Sequence, residues 1–236
     1  MIGVMELTVE KGRKPVLVRE ELLGLRCLRV QVPIPERMGE RRARRRIEKG
    51  ARALGQAGVR RVLTASDFPY WEELRQNGLR PVEVEPFCQA LAEPLTLAAL
   101  RRRRVPPTQA VVVLSGPSVS RWLLQAARQL CPQVRCLAVD VAAGGAELSD
   151  WLWREFGAAV VDPGAGRRAD VALRFGPGGM EGDTIFSLWG QSPDLAGFRP
   201  LPPDGAAEGE LDVLPLLSLL WEEGRLDLRK IRISST

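Results

Sequence analysis

Histidine does not occur in this 236-residue chain. Its absence excludes Ser-His-Asp and Cys-His arrangements, imidazole proton transfer near neutral pH and metal sites built on imidazole. Lysine is nearly as scarce, standing only at Lys11, Lys14, Lys49 and Lys230, and no Gly-Lys-Ser or Gly-Lys-Thr is present to grip a phosphate, so a P-loop is excluded. With Tyr70 as the single tyrosine, a Tyr-x-x-x-Lys proton-transfer pair cannot form. The four cysteines, Cys27, Cys88, Cys131 and Cys136, show neither C-x-x-C nor any zinc spacing, and three lie in apolar-periodic contexts. They are expected to be buried thiols, with no metal. No run of eighteen apolar residues occurs, and the first ten residues have neither the basic start nor the apolar core of a signal peptide. No membrane span and a cytoplasmic location are expected by default.

What the chain does contain is arginine. The net charge is +5 and the pI about 9.4, which invites a nucleic-acid reading. Abundant Ala, Gly, Pro and Leu beside that arginine are what a GC-rich bacterial-type genome writes into any protein, so charge alone decides little. A hydrophobic fraction of 45% with 27% charged residues is that of an ordinary globule able to bury a core.

The best-defined stretch runs from Gln109 to Asp140. A β-branched block at 110–114 leads into Ser115-Gly116-Pro117-Ser118, read as a turn. An apolar-periodic helix follows over 119–130, then a strand over 134–139 that ends at Asp140. This is the length of one βαβ crossover.

Before it, residues 3–10, 15–20 and 25–33 read as three short strands, forming a small antiparallel meander or an added sheet edge. A helix is predicted over 35–57, closed by Gly58. Met38, Ile47, Ala51 and Leu54 make its apolar stripe, while Arg37, Arg41, Arg42, Arg44, Arg45 and Arg46 crowd the remainder. That helix is either a solvated surface, with Glu36, Glu40 and Glu48 pairing at helical spacing, or a face for an anionic partner. A strand (59–65), a helix (70–77, capped by Gly78), a strand (80–85) and a helix (87–104) give the rhythm of parallel pairing. Pro94 should start or kink the last helix. Arg101, Arg102, Arg103 and Arg104 close it and complement its dipole, just before Pro106-Pro107.

After the central unit come a helix (147–156), a strand (158–161), a Gly-rich loop, a strand (171–175) and the turn residues Gly176-Pro177-Gly178-Gly179. A strand at 184–189, a helix at 211–223 and a last strand at 229–234 should cover one side of the sheet. Three regions are expected: an N-terminal α/β lobe (1–105), a βαβ core (106–180) and a covering segment (181–236). The fold class is α/β, a mostly parallel sheet with helices on both faces, preceded by the small N-terminal β meander.

The 109–140 unit resembles the first βαβ of a Rossmann-type dinucleotide-binding fold, in which a Gly-rich turn brings backbone against a pyrophosphate and an acid about twenty residues on holds the ribose. Asp140 stands where that acid would be. The glycine pattern departs from the family's: with Gly116 first, Ser118 and Arg121 occupy the second and third glycine positions. Ala169-Asp170-Val171-Ala172 is also similar to a dehydrogenase strand beside the nicotinamide. The resemblance implies cofactor contacts at Ser115, Gly116, Ser118, Val119 and Asp140, with NAD(P) as the cofactor.

Three functions remain open. The first is a Rossmann-like protein with a degenerate turn, non-catalytic or binding a small anionic ligand or nucleotide. The second is an RNA- or DNA-associated protein using the arginines of 37–46 and 101–104. The third is a divergent NAD(P)-dependent dehydrogenase. An acid–base pair among Asp67, Glu85 and Asp140 would serve a reaction, with Ser66, Asp162 and the glycines 176–179 at neighbouring strand ends. Helix capping is the competing role for such residues, with Asp67 and Ser118 as N-caps.

Overall fold

The structure, a computed structural model, describes residues 1–9, 12, 14–157, 159–161 (backbone only), 168–202 and 211–235. The chain forms two units, one comprising Met1–Glu83 and the helix that ends before Leu226, the other running from Val84 to Pro202 and resuming at Asp227.

In the first unit, β1 (Ile2–Thr8), β2 (Val16–Leu22), β3 (Leu25–Pro33), α1 (Glu40–Gln56), β4 (Arg61–Leu63), α2 (Trp71–Gln76) and β5 (Arg80–Pro81) build a five-stranded sheet of order β2-β3-β1-β4-β5. β2 and β3 are the expected antiparallel strands, joined as a hairpin. β1 lies on the far side of β3 and runs parallel to it, as do β4 and β5 beyond. The hairpin is thus an edge added to a parallel sheet. The central position of β1 explains the unbroken buried run from Ile2 to Met5, since a strand covered on both faces has no polar side.

α1 packs Ala43, Ile47, Gly50, Ala51 and Leu54 onto this sheet. Each fully buried Ile or Leu contributes about 1.5–3 kcal/mol. Gly50 belongs to the stripe because a Cβ there would come within 3.1 Å of Val32 Cγ2. The helix starts five residues later than the sequence predicts, at Glu40: Gly39, extended at φ −67° and ψ 143°, is its N-cap. β5 is also shorter than expected. Pro81 has no N–H to continue a ladder, and Glu85 with Pro86 opens a helix.

The second unit begins with that helix, α3 (Glu85–Ala90), followed by α4 (Ala92–Arg102). Sequence pattern predicts one helix here. Pro94 carries no N–H for the Ala90 carbonyl, and the ladder breaks at Leu91. Then come β6 (Val111–Ser118), α5 (Arg121–Leu130), β7 (Cys136–Ala143), α6 (Gly145–Phe156), β8 (Ala159–Val161), β9 (Ala169–Arg174), β10 (Gly182–Ser187) and β11 (Phe198–Leu201). α7 (Val213–Glu222) returns to the first unit, where Ser218 Oγ donates to Glu83 O at 2.7 Å. β12 (Arg232–Ser235) pairs antiparallel with β11 in the second.

The second sheet has the order β10-β9-β6-β7-β8, every pair parallel. In chain order this is 5-4-1-2-3, the arrangement of a Rossmann-like doubly wound sheet. The mixed α/β class with a mostly parallel sheet is therefore what the chain adopts. One crossover departs from the usual pattern: β9 reaches its parallel neighbour β10 through residues 175–181 alone, without a helix. All four cysteines are free and buried, and burial pushes the Cys88 thiol up to about 12. Among the described residues no helix is long and apolar enough to cross a membrane.

Candidate functional site

A doubly wound sheet binds ligands at the carboxyl ends of its strands, where successive connections leave in opposite directions. In the second unit that point lies between β6, whose connection leads to β7, and β9, which leads to β10.

Residues 115–118, read from sequence as a tight turn, are the last part of β6. The ladder continues through Ser115↔Asp140, Gly116↔Val141 and Ser118↔Ala143. Gly116 needs no left-handed backbone. It is glycine for space, because a Cβ would sit 3.3 Å from Leu123 Cδ1. The sequence pattern ends this strand at Asp140, yet β7 continues to Ala143 with Asp140 and Val141 in the ladder, and that keeps β6 extended opposite them. The helix consequently begins later. Ser120, not Ser118, is the N-cap of α5, accepting from Leu123 N at 3.1 Å. Ser118 is exposed, and Val119 N donates to Ala143 O at 3.2 Å.

Ser115 and Asp140 are brought together. Ser115, 1% exposed, donates through Oγ to Asp140 Oδ2 at 3.1 Å. The backbone N–H of Met180 is shared between the same two groups, at 3.1 Å from Asp140 Oδ2 and 3.3 Å from Ser115 Oγ. Met180 reaches them because the 175–181 crossover folds over the ends of β6 and β7. Gly179, at φ +110°, passes so close that a Cβ would lie 2.4 Å from Ser115 Cβ. Gly176 is equally tight against Pro117, where a Cβ would lie 2.4 Å from Pro117 Cδ. Arg174 ties the crossover down, donating through Nη2 to Gly179 O, Met180 O and Glu181 Oε1 at 3.3, 3.2 and 2.8 Å. Its buried Nε finds no partner among the described residues.

Beside this junction is a cleft of about 400 Å³, lined among others by Gly116, Pro117, Asp140, Ala142, Pro177 and Gly179. Among the described residues Asp140 is the one ionisable residue of its lining. Among the described residues Asp140 Oδ1 has no hydrogen-bond partner. The cleft thus presents a fixed carboxylate acceptor between backbone and small apolar walls, suited to hydroxyl or amine donors and repellent to a bare anion.

The remaining sequence candidates lie elsewhere. Ser66 and Asp67 belong to the first unit and are exposed, and the N-cap of α2 is Tyr70, not Asp67. Glu85 accepts from Gly190 N at 2.9 Å and Gln89 Nε2 at 3.0 Å, a holding role. Asp170 accepts from Val111 N at 2.9 Å and Arg103 Nη1 at 3.2 Å. Asp162 lies outside the described residues. Within the arginine run, Arg103 also pairs with Asp183, and Arg102 sits 4.2 Å over the Phe198 ring. On α1, Arg44 pairs with Glu40 and Glu73, and Arg46 donates to the carbonyls of Gly12 and Pro33. Arg41, Arg42 and Arg45 are exposed and have no acidic partner among the described residues. Met180 was not found from sequence, because a backbone N–H leaves no trace in residue type.

No protein-family model matches this chain, and no curated protein does. Among solved structures it is similar to an L-tryptophan dehydrogenase from Nostoc punctiforme, with 14% identity over 73% of this chain and 55% of that one and a TM-score of 0.32. It is also similar to the ornithine carbamoyltransferase from Pyrococcus furiosus, at 17% identity, 73% and 58% coverage and a TM-score of 0.27. A shikimate 5-dehydrogenase-like protein matches at 12% identity, 73% and 65% coverage and a TM-score of 0.24. The chain spans between 55% and 65% of the length of these proteins. The strand order, rather than these likenesses, carries the fold assignment.

Proposed function

We propose that the second unit binds a nucleoside-containing ligand, of the NAD class, in the cleft at the ends of β6 and β7, and does so without performing chemistry on it. One observation carries this reading: Asp140 stands on the second strand of the 5-4-1-2-3 sheet, with one carboxylate oxygen fixed by Ser115 and Met180 and the other open beside a cleft of about 400 Å³. A ribose diol supplies the donors that such an acceptor takes. Asp140 and Gly116 contact the ligand, Ser115 positions Asp140, and Ser118 and Val119 hold the outer end of the β6–β7 ladder. The same carboxylate argues against phosphate alone, and against NADP, whose 2′-phosphate would meet it.

Calorimetric titration with NAD, adenosine, NADP and inorganic phosphate tests this. NAD and adenosine should bind, NADP at least about tenfold more weakly, a difference of about 1.4 kcal/mol, and phosphate not at all. Asp140→Asn, which keeps an acceptor for Met180 N but loses the open carboxylate, should abolish the preference for NAD. The reading fails if no nucleoside binds, or if Asp140→Asn binds all four as the native protein does.

A second reading has its own observation, Arg41, Arg42 and Arg45, which have no acidic partner among the described residues and with Lys49 share one face of α1 at helical spacing. It makes the first unit a binder of RNA or DNA. With about four phosphate contacts, affinity should fall roughly a hundredfold between about 50 and 200 mM salt. Retention unchanged by reversing those three charges would end it.

A further inference from the structure

β2 is an edge strand, paired on one side with β3 and with no strand on the other among the described residues. Val16, Leu17 and Val18 on it are 54%, 41% and 43% exposed. Successive side chains alternate between faces, so this edge is apolar on both, the condition soluble proteins usually blunt with charge, proline or a bulge.

The hairpin settles which backbone groups are free. Leu23 and Gly24 both have positive φ, 51° and 82°, as in a two-residue type I′ loop. Leu22↔Leu25, which closes the loop, is then a hydrogen-bonded pair. Alternation turns the N–H and C=O groups of residues 16, 18, 20 and 22 toward β3, and those of Leu17, Arg19 and Glu21 outward. Pro15 falls in the outward phase, where its missing donor costs the native hairpin nothing.

We propose that β2 pairs antiparallel with β2 of a second copy of this chain, about a two-fold axis passing through Leu17. An axis normal to the sheet keeps every side chain on its own face, so residues that meet are both odd or both even in number. With the axis on Leu17, Leu17 meets itself, Val16 meets Val18 on either side, and Lys14 meets Glu20. The apolar residues cover one another at the centre and opposite charges flank them. Lys14 is exposed, and among the described residues Glu20 otherwise pairs only with Arg29, at 2.7 Å. The backbone agrees: Leu17 exchanges both hydrogen bonds with its copy, and the Arg19 N–H meets the C=O of Pro15, a residue with no donor to return. Shifting the axis to Val18 would set Val16 against Glu20 and Leu17 against Arg19. Shifting it to Arg19 would oppose two guanidinium groups. The two five-stranded sheets would join edge to edge into one. This surface is independent of the cleft and of its ligand.

The test is sedimentation velocity of the full chain over about two decades of micromolar concentration, with a cysteine scan. A reversible monomer–dimer equilibrium is expected, and Leu17→Lys should raise its Kd at least about tenfold by setting like charges opposite each other. Because these positions are exposed, the variant's circular dichroism and melting should match the native protein. Under mild oxidation Leu17→Cys should cross-link to itself faster than Val18→Cys or Arg19→Cys, since only a residue on the axis meets its own copy at about 5.5 Å between Cα atoms. The buried native thiols keep the background low. A chain that stays monomeric throughout overturns the proposal, as does a dimer whose Kd Leu17→Lys leaves unmoved. Faster coupling at Val18→Cys or Arg19→Cys overturns it too.

Discussion

The Met180 N–H donates to Asp140 Oδ2 at 3.1 Å, joining a loop backbone to a strand carboxylate forty residues earlier in the sequence. This bond fixes the carboxylate orientation that the cleft presents, and it exists only because the crossover from β9 to β10 is short enough to lie across the strand ends. Perturbing the crossover should therefore perturb Asp140.

Gly179→Ala addresses that link. The backbone there is left-handed at φ +110°, and the added Cβ would fall 2.4 Å from Ser115 Cβ. The crossover must lift, and the Met180 bond to Asp140 lengthens or breaks. A loss of about 2–4 kcal/mol is expected in urea unfolding, together with the loss of nucleoside binding in the variant that remains folded.

Ser118 and Ser120 should part company. Sequence reasoning makes Ser118 a cap, but Ser120 accepts the Leu123 N–H. Ser120→Ala is expected to cost about 1 kcal/mol, as a lost N-cap does. Ser118→Ala should fall within about 0.5 kcal/mol of the native protein, as surface changes usually do. Equal losses at both positions would contradict the observed start of α5.

Gly116→Val tests whether this glycine serves space or backbone freedom. A strand position tolerates valine, but the side chain would press on Leu123 and Phe175, whose atoms already lie 3.3 and 3.6 Å from the position of a Cβ. A loss of about 1–3 kcal/mol by overpacking is expected, with Leu123→Ala in the same chain recovering part of it. No recovery would locate the strain elsewhere.

Asp212 gives a pH-dependent prediction. Burial pushes its carboxyl above the usual carboxylate value, with the Leu214 N–H opposing the shift. An acid with a raised native pKa holds its proton more tightly folded than unfolded. Its contribution is complete below the unfolded value and is lost as pH rises through the native one. At neutral pH the charged form is carried at a cost. Asp212→Asn keeps an acceptor for Leu214 N and should melt a few degrees higher, roughly 2–4 °C per kcal/mol for a chain of this size, near pH 7. Near pH 3 the difference should vanish, and melting curves across that range check it.

Much of this structure is legible in residue order because it depends on local periodicity. Gly58, Gly78 and Gly157 stand as C-terminal caps with positive φ where the helices of the sequence reading end. The alternation of residues 25–33 gives β3, and the apolar block at 110–114 gives the heart of β6. What is not legible depends on partners distant in sequence. Residues 115–118 have the composition of a turn, yet pairing with β7 out to Ala143 keeps them extended. The Gly176–Gly179 run reads as loop punctuation, and only the approach of Ser115 and Pro117 shows why two of its glycines admit no side chain. Asp140 was found by its spacing from Gly116. Its fixed oxygen was not, since the donor is backbone. The arginine run at 101–104 looks uniform in sequence, whereas Asp170, Asp183 and Phe198, all more than sixty residues away, give Arg102 and Arg103 separate tasks.

The division into two units carries a consequence for synthesis. The chain leaves the first unit after Glu83, returns for α7, and leaves again after Leu226. All five strands of the Rossmann-like sheet are complete once Ser187 has emerged, while the first unit still lacks the helix that holds Glu83. Unit by unit, the middle of the gene product should be able to mature before its beginning, the reverse of the usual N-to-C order. A ribosome-bound chain whose residues up to Pro202 have cleared the exit tunnel should then already protect the β6–β7 ladder from hydrogen exchange, with β4 and β5 still open.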